Sequence, residues 1–316
     1  MSGKTLFSAP VRRVVKEAAV TKTANPLTYT ISSSGTTRKI NFSLFVGGKP
    51  VAGKKIRVEN TEDGTLVSRS RLMEPCFYDA YQELEETHWW FCGRRAVLTA
   101  VLSRIAPAAT TSVFDFGCGP GGFVQALRAL GYRAQGGDIH RASVTAARAR
   151  GLKDTLLLSE THVPLPDASC DVVTLLDVLE HVRDEAALLA EARRLVRPGG
   201  HLLITVPAFP LLWGIQDEVS HHYRRYRRND LAATLRAAGL EIVFATYFNT
   251  ALFFPVALFR LANRIVRFPR QSDFFPLPHF VNRVLTALFA AEAPLVGKVP
   301  LPWGISVIAL ARKPLS

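Results

Sequence analysis

At 316 residues and 48% hydrophobic content, the chain has the length for one large domain with an appendage, or for two domains, and ample material for a packed core. Its formal charge of +13 is concentrated in residues 1–71, with 13 Lys/Arg against 4 Asp/Glu, while residues 72–316 carry 26 against 22; no cluster of basic and aromatic residues points to nucleic acid. The four cysteines (Cys76, Cys92, Cys118 and Cys170) form no CxxC, which argues against a metal or disulfide scaffold and fits a reducing cytoplasm, and no stretch of about 18 apolar residues runs uninterrupted as a spanning helix requires.

Residues 1–26 have weak periodicity, lack the apolar centre of a signal peptide and read as a flexible basic tail or a short helix. Residues 27–71 differ. LTYTISS, KINFSLFV, KKIRVEN and TLVSRS alternate in β fashion between Ser-Gly, Gly-Gly-Lys-Pro and Glu-Asp-Gly turns, which predicts a small β-rich segment. It is short for an independent domain. Its stretch FVGGKPVAGKKIRVENTEDG resembles parts of bacterial immunoglobulin-like modules.

A second segment starts near residue 72. Residues 73–106 read as helical, with HWWF (His88 to Phe91) inside them. From Thr111 short apolar strands alternate with helical runs. Strands are predicted at Val113–Phe116, Arg133–Gly137, Thr155–Leu158, Val172–Leu176, His201–Val206, Glu241–Tyr247 and Ile305–Ala311. Helices are predicted at Gly121–Leu130, Ala142–Ala149, Glu185–Val196 and Asp230–Ala238. This alternation implies an α/β domain with a parallel sheet covered on both faces, whose ligands sit beyond the carboxyl ends of the strands.

The run VFDFGCGPGGF, Val113 to Phe123, is the densest chemical signal. An apolar strand ends in Asp115, and a turn through Gly117, Gly119, Gly121 and Gly122 leads into a helix. Such a turn lets backbone approach a ligand, with helix N–H groups and the positive end of the dipole aimed at it. Alone, the pattern G-x-G-x-x-G also suits a nicotinamide dinucleotide. The second strand ends in GGDIH, where Asp138 either accepts both hydroxyls of an adenosine ribose or caps a helix. VPLPDASCDVVTLLDVLEH (Val163 to His181) follows, then LVRPGGHLLITVP (Leu195 to Pro207).

This ordered set resembles the class I S-adenosylmethionine-dependent methyltransferases, over residues 72–316. HWWFCGRR and HHYRRY are similar to a bacterial branch distantly related to quinone-pathway methyltransferases. The resemblance implies a Rossmann-like, doubly wound seven-stranded sheet whose last strand inserts antiparallel beside the sixth, and S-adenosyl-L-methionine as cofactor. It also implies roles. Asp115 faces the ammonium of the methionyl end, and the Gly117-Cys118-Gly119 turn with Gly121 faces its carboxylate. Asp138, with Ile139 beside it, takes the ribose; Ser159 or Glu160 takes the adenine; Asp177 and Val178 form the floor near the sulfonium. His181, His221 and His222 are the candidate bases for an acceptor that arrives protonated. Asp217 is expected to orient a histidine, bind the acceptor or lie on the surface.

Trp89 and Trp90 are expected either to close over the site or to pack in a core. Arg94 and Arg95 either bind an anion or pair with Glu85 or Glu86. HHYRRYRR (His221 to Arg228) either grips an acidic acceptor or forms a solvated face. The stretch from Phe248 to Trp303 holds two apolar, basic-edged helical runs, a lid for an apolar acceptor, an interfacial membrane contact or a packed subdomain. The expected activity is O-methylation of a small-molecule or lipid-linked acceptor, in the cytoplasm or at the inner face of the membrane. The alternatives are a nicotinamide-dependent oxidoreductase and a non-catalytic cofactor-binding or membrane-associated scaffold. Nucleic acid is disfavoured as acceptor, because LLDVLEH stands where an N/D-P-P-Y tetrapeptide would be.

Overall fold

The computed structural model describes residues 84–159, 162–266 and 277–315, and seven short strands within residues 1–80. The chain divides into two units, Met1–Ala80 and Tyr81–Ser316. In the first, Ala19–Lys22, Tyr29–Ser33 and Thr36–Ile40 form an antiparallel three-stranded sheet. Two two-stranded ladders join Phe45–Val46 to Lys49–Pro50 and Glu59–Asn60 to Leu66–Val67. Ala19–Lys22 lies within the span read from sequence as a tail or short helix; its Ala-Val-Thr-Lys run pairs instead with Tyr29–Ser33.

The second unit is built on seven strands: β1 (Ser112–Phe116), β2 (Arg133–Asp138), β3 (Leu156–Leu157), β4 (Cys170–Leu176), β5 (Val196–Pro207), β6 (Glu241–Phe248) and β7 (Ser306–Arg312). Their order is β3-β2-β1-β4-β5-β7-β6. The first five are parallel, and β7 lies antiparallel between β5 and β6, with Ile308 opposite both Thr205 and Thr246. The order reverses between β1 and β4, which places the ligand crevice beyond their carboxyl ends. The expected seven-stranded architecture is therefore present. β5 starts at Val196 rather than His201, because Val196 already pairs with Cys170 across a bulge.

Side-chain alternation sorts the core into two layers. Phe114, Phe116, Val173, Leu175, Leu202, Ile204, Val307 and Ala309 face one side, against Leu188, Leu189, Ala192 and Leu195 of α4 (Glu185–Leu195) and Leu231 and Leu235 of α6 (Arg228–Ala237). Val113, Val172, Leu176, Leu203, Ile308 and Leu310 face the other. They pack with Val97, Leu98, Val101 and Leu102 of α1 (Trp89–Ile105), and with α2 (Gly122–Ala129), α3 (Arg141–Ala149) and Phe289 of α8 (His279–Ala290). Each fully buried Leu contributes about 1.5–3 kcal/mol, so both faces of the sheet need their helices. Local signals start them: the Asp184 carboxylate accepts from Ala187 N at 3.0 Å and caps α4, and His88 Nδ1 accepts from Trp90 N to cap α1.

Between β6 and β7 lie α7 (Phe253–Val266) and α8. α8 packs on α1, where the Trp89 and Phe289 rings are 6.3 Å apart and Trp89 N donates to Asn282 Oδ1 at 2.8 Å. Phe253 of α7 lies 5.6 Å from Phe209, which follows β5. Among the described residues no helix is long and apolar enough to cross a membrane.

Candidate active site

β1 delivers Asp115 to the crevice, and the chain then turns through Gly117 (φ 80°) and Gly119 (φ 55°) before entering α2. Both glycines hold left-handed backbone that a larger residue resists. A Cβ at Gly119 would meet nothing within 4 Å, so this bend is open on its ligand side. Asp138, at the end of β2, accepts from Gly119 N (2.9 Å), His140 N (2.7 Å) and the His140 ring (3.0 Å). It ties the turn to the neighbouring strand; three of its roughly four lone-pair sites are taken by these contacts, and the remaining one, on Oδ2, is left for a ligand hydroxyl. Ile139 next to it is exposed. Asp138 therefore lies one hydrogen bond from the glycine turn.

Asp115 is buried and accepts from Thr174 Oγ1 at 2.5 Å. Burial pushes its carboxyl up to about 7, against the Thr174 hydrogen bond and the Arg94 guanidinium, which favour the ionised form. Cys118 packs its sulfur against Gly136, and burial keeps its thiol well above the usual range. Gly121 begins α2 with φ 87°. Val178 leans on Gly117. Ser159 is exposed, its hydroxyl donating to His162 O and accepting from His162 N. Glu160 lies outside the described residues.

The ends of β4, β5 and β6 each carry a non-glycine residue in left-handed backbone: Asp177 (φ 56°), Phe209 (φ 54°) and Asn249 (φ 58°). Such positions store strain and gather at functional sites. Arg94 of α1 pairs with Asp177 and stacks 4.5 Å from the Trp90 ring. Neither Arg94 nor Arg95 forms an ion pair with the carboxylates of Glu85 or Glu86, though Arg95 Nη1 donates to the backbone oxygen of Glu85 at 3.2 Å. Both glutamates pair with Arg150, because Glu85 lies with its carboxyl against Gly122, within reach of α3.

His181 and His222 come together, with rings 4.6 Å apart and edge-on. His221 does not join them: it is exposed, with φ 54°. His181 itself is exposed, and the protein packed around its ring, with the neighbouring His222, lowers its pKa. Asp217, fully buried in the short α5 (Ile215–Val219), accepts from His222 Nδ1 (2.8 Å), Arg225 Nε (2.7 Å) and Gly214 N (2.8 Å). Burial works against its charge, but the His222 hydrogen bond and the Arg225 guanidinium hold it well below the usual carboxylate range. Of the two roles and the surface position open to Asp217, the fold forms the histidine-orienting contact.

HHYRRYRR does not present a row of free arginines. Arg225 is buried on Asp217 and Ala208 O, and Arg224 pairs with Glu185. Tyr226 is buried and bonded to the same Glu185. The grip on an acidic acceptor expected from this run is thereby reduced, since two of its guanidinium groups already hold the fold together.

Sequence reasoning missed Glu180. It lies in a 3-10 turn after β4, wholly buried, and neither carboxyl oxygen has a hydrogen-bond partner. Thr205 and Asn249, also fully buried near the ends of β5 and β6, have side-chain oxygens likewise without a partner. An unsatisfied buried polar group costs about 1–3 kcal/mol, and these three lie toward the carboxyl ends of β4, β5 and β6. The only hint in the sequence was an acid inside the apolar run VTLLDVLEH.

Residues 92–244 match a family described as a methyltransferase domain. A Mycolicibacterium smegmatis protein described as a "Probable S-adenosylmethionine-dependent methyltransferase" is 32% identical over 162 residues, covering 50% of this chain and 62% of that relative. The match thus spans less than two thirds of that protein's length. The ubiquinone biosynthesis O-methyltransferase of Pseudomonas aeruginosa (strain UCBPP-PA14) is 30% identical over 156 residues, 43% of this chain and 67% of that one. Among solved structures, one of a complex between a Haloferax volcanii methyltransferase and its activator has a TM-score of 0.51 at 19% identity. It covers 75% of this chain and 94% of that chain, a likeness of fold.

Proposed function

The chain belongs to the class I S-adenosylmethionine-dependent methyltransferase family, and on that premise we propose that it methylates a hydroxyl of a small-molecule or lipid-linked acceptor. One observation carries the reading: the Asp138 carboxylate stands one hydrogen bond from an open glycine turn, the arrangement that an adenosine bearing a charged amino-acid arm requires. S-adenosylmethionine supplies a methyl group already activated by its sulfonium. This chain's residues then have to align the acceptor and exclude water. Asp138 holds the ribose, the backbone of Gly117 to Gly121 holds the carboxylate of the arm, and Asp115 faces its ammonium. His181, His222 and Glu180 form the polar end of the acceptor space.

Oxygen as the methylated atom is supported by the O-methyltransferase name of the Pseudomonas relative. A lipid-linked acceptor and a peripheral membrane contact are supported by residues 248–303. Phe254, Leu258, Phe280 and Leu288 are exposed there, within a stretch carrying six Lys/Arg against two Asp/Glu. Apolar side chains among basic ones suit an anionic interface.

Labelled S-adenosylmethionine incubated with the protein and a host extract is expected to label a compound that mass spectrometry finds heavier by one methyl group. An extract without any such product would defeat the reading. A second expectation concerns pH. Asp115 must be ionised to face an ammonium, and its carboxyl sits near 7. Affinity for S-adenosylhomocysteine should therefore hold above pH 7 and fall by up to about tenfold per pH unit below it. Calorimetry across that range checks this, and a flat profile removes Asp115 from the role.

A further inference from the structure

We propose that the His140 ring occupies the place on Asp138 that one ribose hydroxyl takes, and that the cofactor displaces this ring on binding. This role rests on the methyltransferase reading and on Asp138 as its ribose acid. A carboxylate offers about four acceptor sites, two on each oxygen. Asp138 Oδ2 takes Gly119 N at 2.9 Å. Oδ1 takes the backbone N of His140 at 2.7 Å and the ring Nδ1 of the same residue at 3.0 Å. Between a carboxylate and an imidazole nitrogen, the nitrogen is the donor. Oδ1 is therefore full, and Oδ2 has one site left. A vicinal diol held by one carboxylate puts a hydroxyl on each oxygen. The first finds its site on Oδ2, and the second meets the His140 ring.

Of the two His140 groups on Oδ1, the ring is the one that can leave. The backbone N–H is fixed by the turn into α3, where His140 O accepts from Val144 N at 3.1 Å. The ring makes no hydrogen bond that caps α3. Its side chain is 24% exposed, against 9% for Asp138. The ring thus covers a nearly buried carboxylate from the solvent side, and a change of rotamer removes it without opening either layer of the core.

The exchange is close to balanced, since one hydrogen bond to Oδ1 breaks as another forms. The hydroxyl that evicts the ring therefore adds little affinity, whereas the hydroxyl on Oδ2 adds a full contact. His140 acts through Asp138, as a positioning residue that moderates how tightly the adenosyl group is held. S-adenosylmethionine and S-adenosylhomocysteine carry the same ribose, so the hold on the spent product is loosened as much as the hold on the methyl donor.

Calorimetry on the full chain, with S-adenosylhomocysteine and its 2′-deoxy and 3′-deoxy analogues, tests this. His140→Ala is expected to bind S-adenosylhomocysteine about 2–10-fold more tightly than the unaltered protein, the worth of one hydrogen bond that no longer has to break. His140→Asn, whose amide can donate to Oδ1 as the ring does, should restore the weaker affinity. The analogue that lacks the evicting hydroxyl should bind the alanine and unaltered proteins alike. A merely structural role for the ring gives the opposite order, with every ligand bound more weakly by the alanine protein. In a crystal of the unaltered chain with S-adenosylhomocysteine, Nδ1 should stand more than about 3.5 Å from Oδ1, beyond hydrogen-bond reach, with a ribose hydroxyl in its place. Equal or weaker binding by the alanine protein, a gain that persists with both analogues, or a ring still 3.0 Å from Oδ1 beside the bound ligand overturns the proposal. In that last case a ribose hydroxyl on Oδ2 leaves the methyltransferase reading standing, whereas a ligand that avoids Asp138 removes the proposal and the ribose assignment together.

Discussion

Replacing Asp138 with alanine is expected to weaken S-adenosylhomocysteine binding by about 30–150-fold, the equivalent of roughly 2–3 kcal/mol for a charge-assisted bidentate contact. Two losses combine. The ribose loses its acceptor, and Gly119 N and His140 N lose the carboxylate that holds them. Asp138→Asn separates these contributions. Its amide oxygen can still accept from the turn, while its NH₂ no longer complements a diol hydroxyl as acceptor. The asparagine protein should fall between the alanine protein and the unaltered one. Calorimetry measures all three, and equal affinities would remove Asp138 from the ribose role.

Asp217→Ala should produce the largest loss of stability of any single change near the site. The carboxylate is fully buried and meets Arg225 at 2.7 Å, His222 at 2.8 Å and Arg260 at 3.7 Å. Removing it leaves the buried Arg225 guanidinium without its counter-ion, which costs about 3–5 kcal/mol. For a unit of this size that is a fall in melting temperature of roughly 6–20 °C. Asp217→Asn, which keeps hydrogen bonds but not charge, should cost less. A thermal scan in which the alanine protein melts within a degree or two of the unaltered chain would show that the pair contributes little.

Much of the fold was readable because the signals are local. Near-continuous apolar runs at Val113–Phe116 and Val172–Leu176 mark strands buried on both faces, and glycine after an apolar strand marks a turn that must adopt left-handed φ. The place of β7 was not local. It followed only from the family likeness, since nothing in Ile305–Ala311 says that it runs antiparallel between β5 and β6. Within the site, Asp115, Asp138 and the glycine turn were legible for the same reason as the strands: they lie at strand ends with fixed spacing. Contacts formed across the chain were not. Arg94 reaches Asp177 over 83 residues, Asp217 gathers two arginines and a histidine, and Glu85 settles on Gly122. Each depends on helix packing, which charge pattern does not encode. The arginines of HHYRRYRR mislead for that reason, because exposure is decided by what they meet and not by their type.

The place of the cofactor decides the chemistry above all else, and a crystal structure of the chain with S-adenosylhomocysteine tests it most directly. Density is predicted beyond the carboxyl ends of β1 and β2, with both ribose hydroxyls on Asp138 and the amino-acid arm along Gly117 to Gly121. A fully soaked crystal with that crevice vacant, or with the ligand held elsewhere, would contradict it.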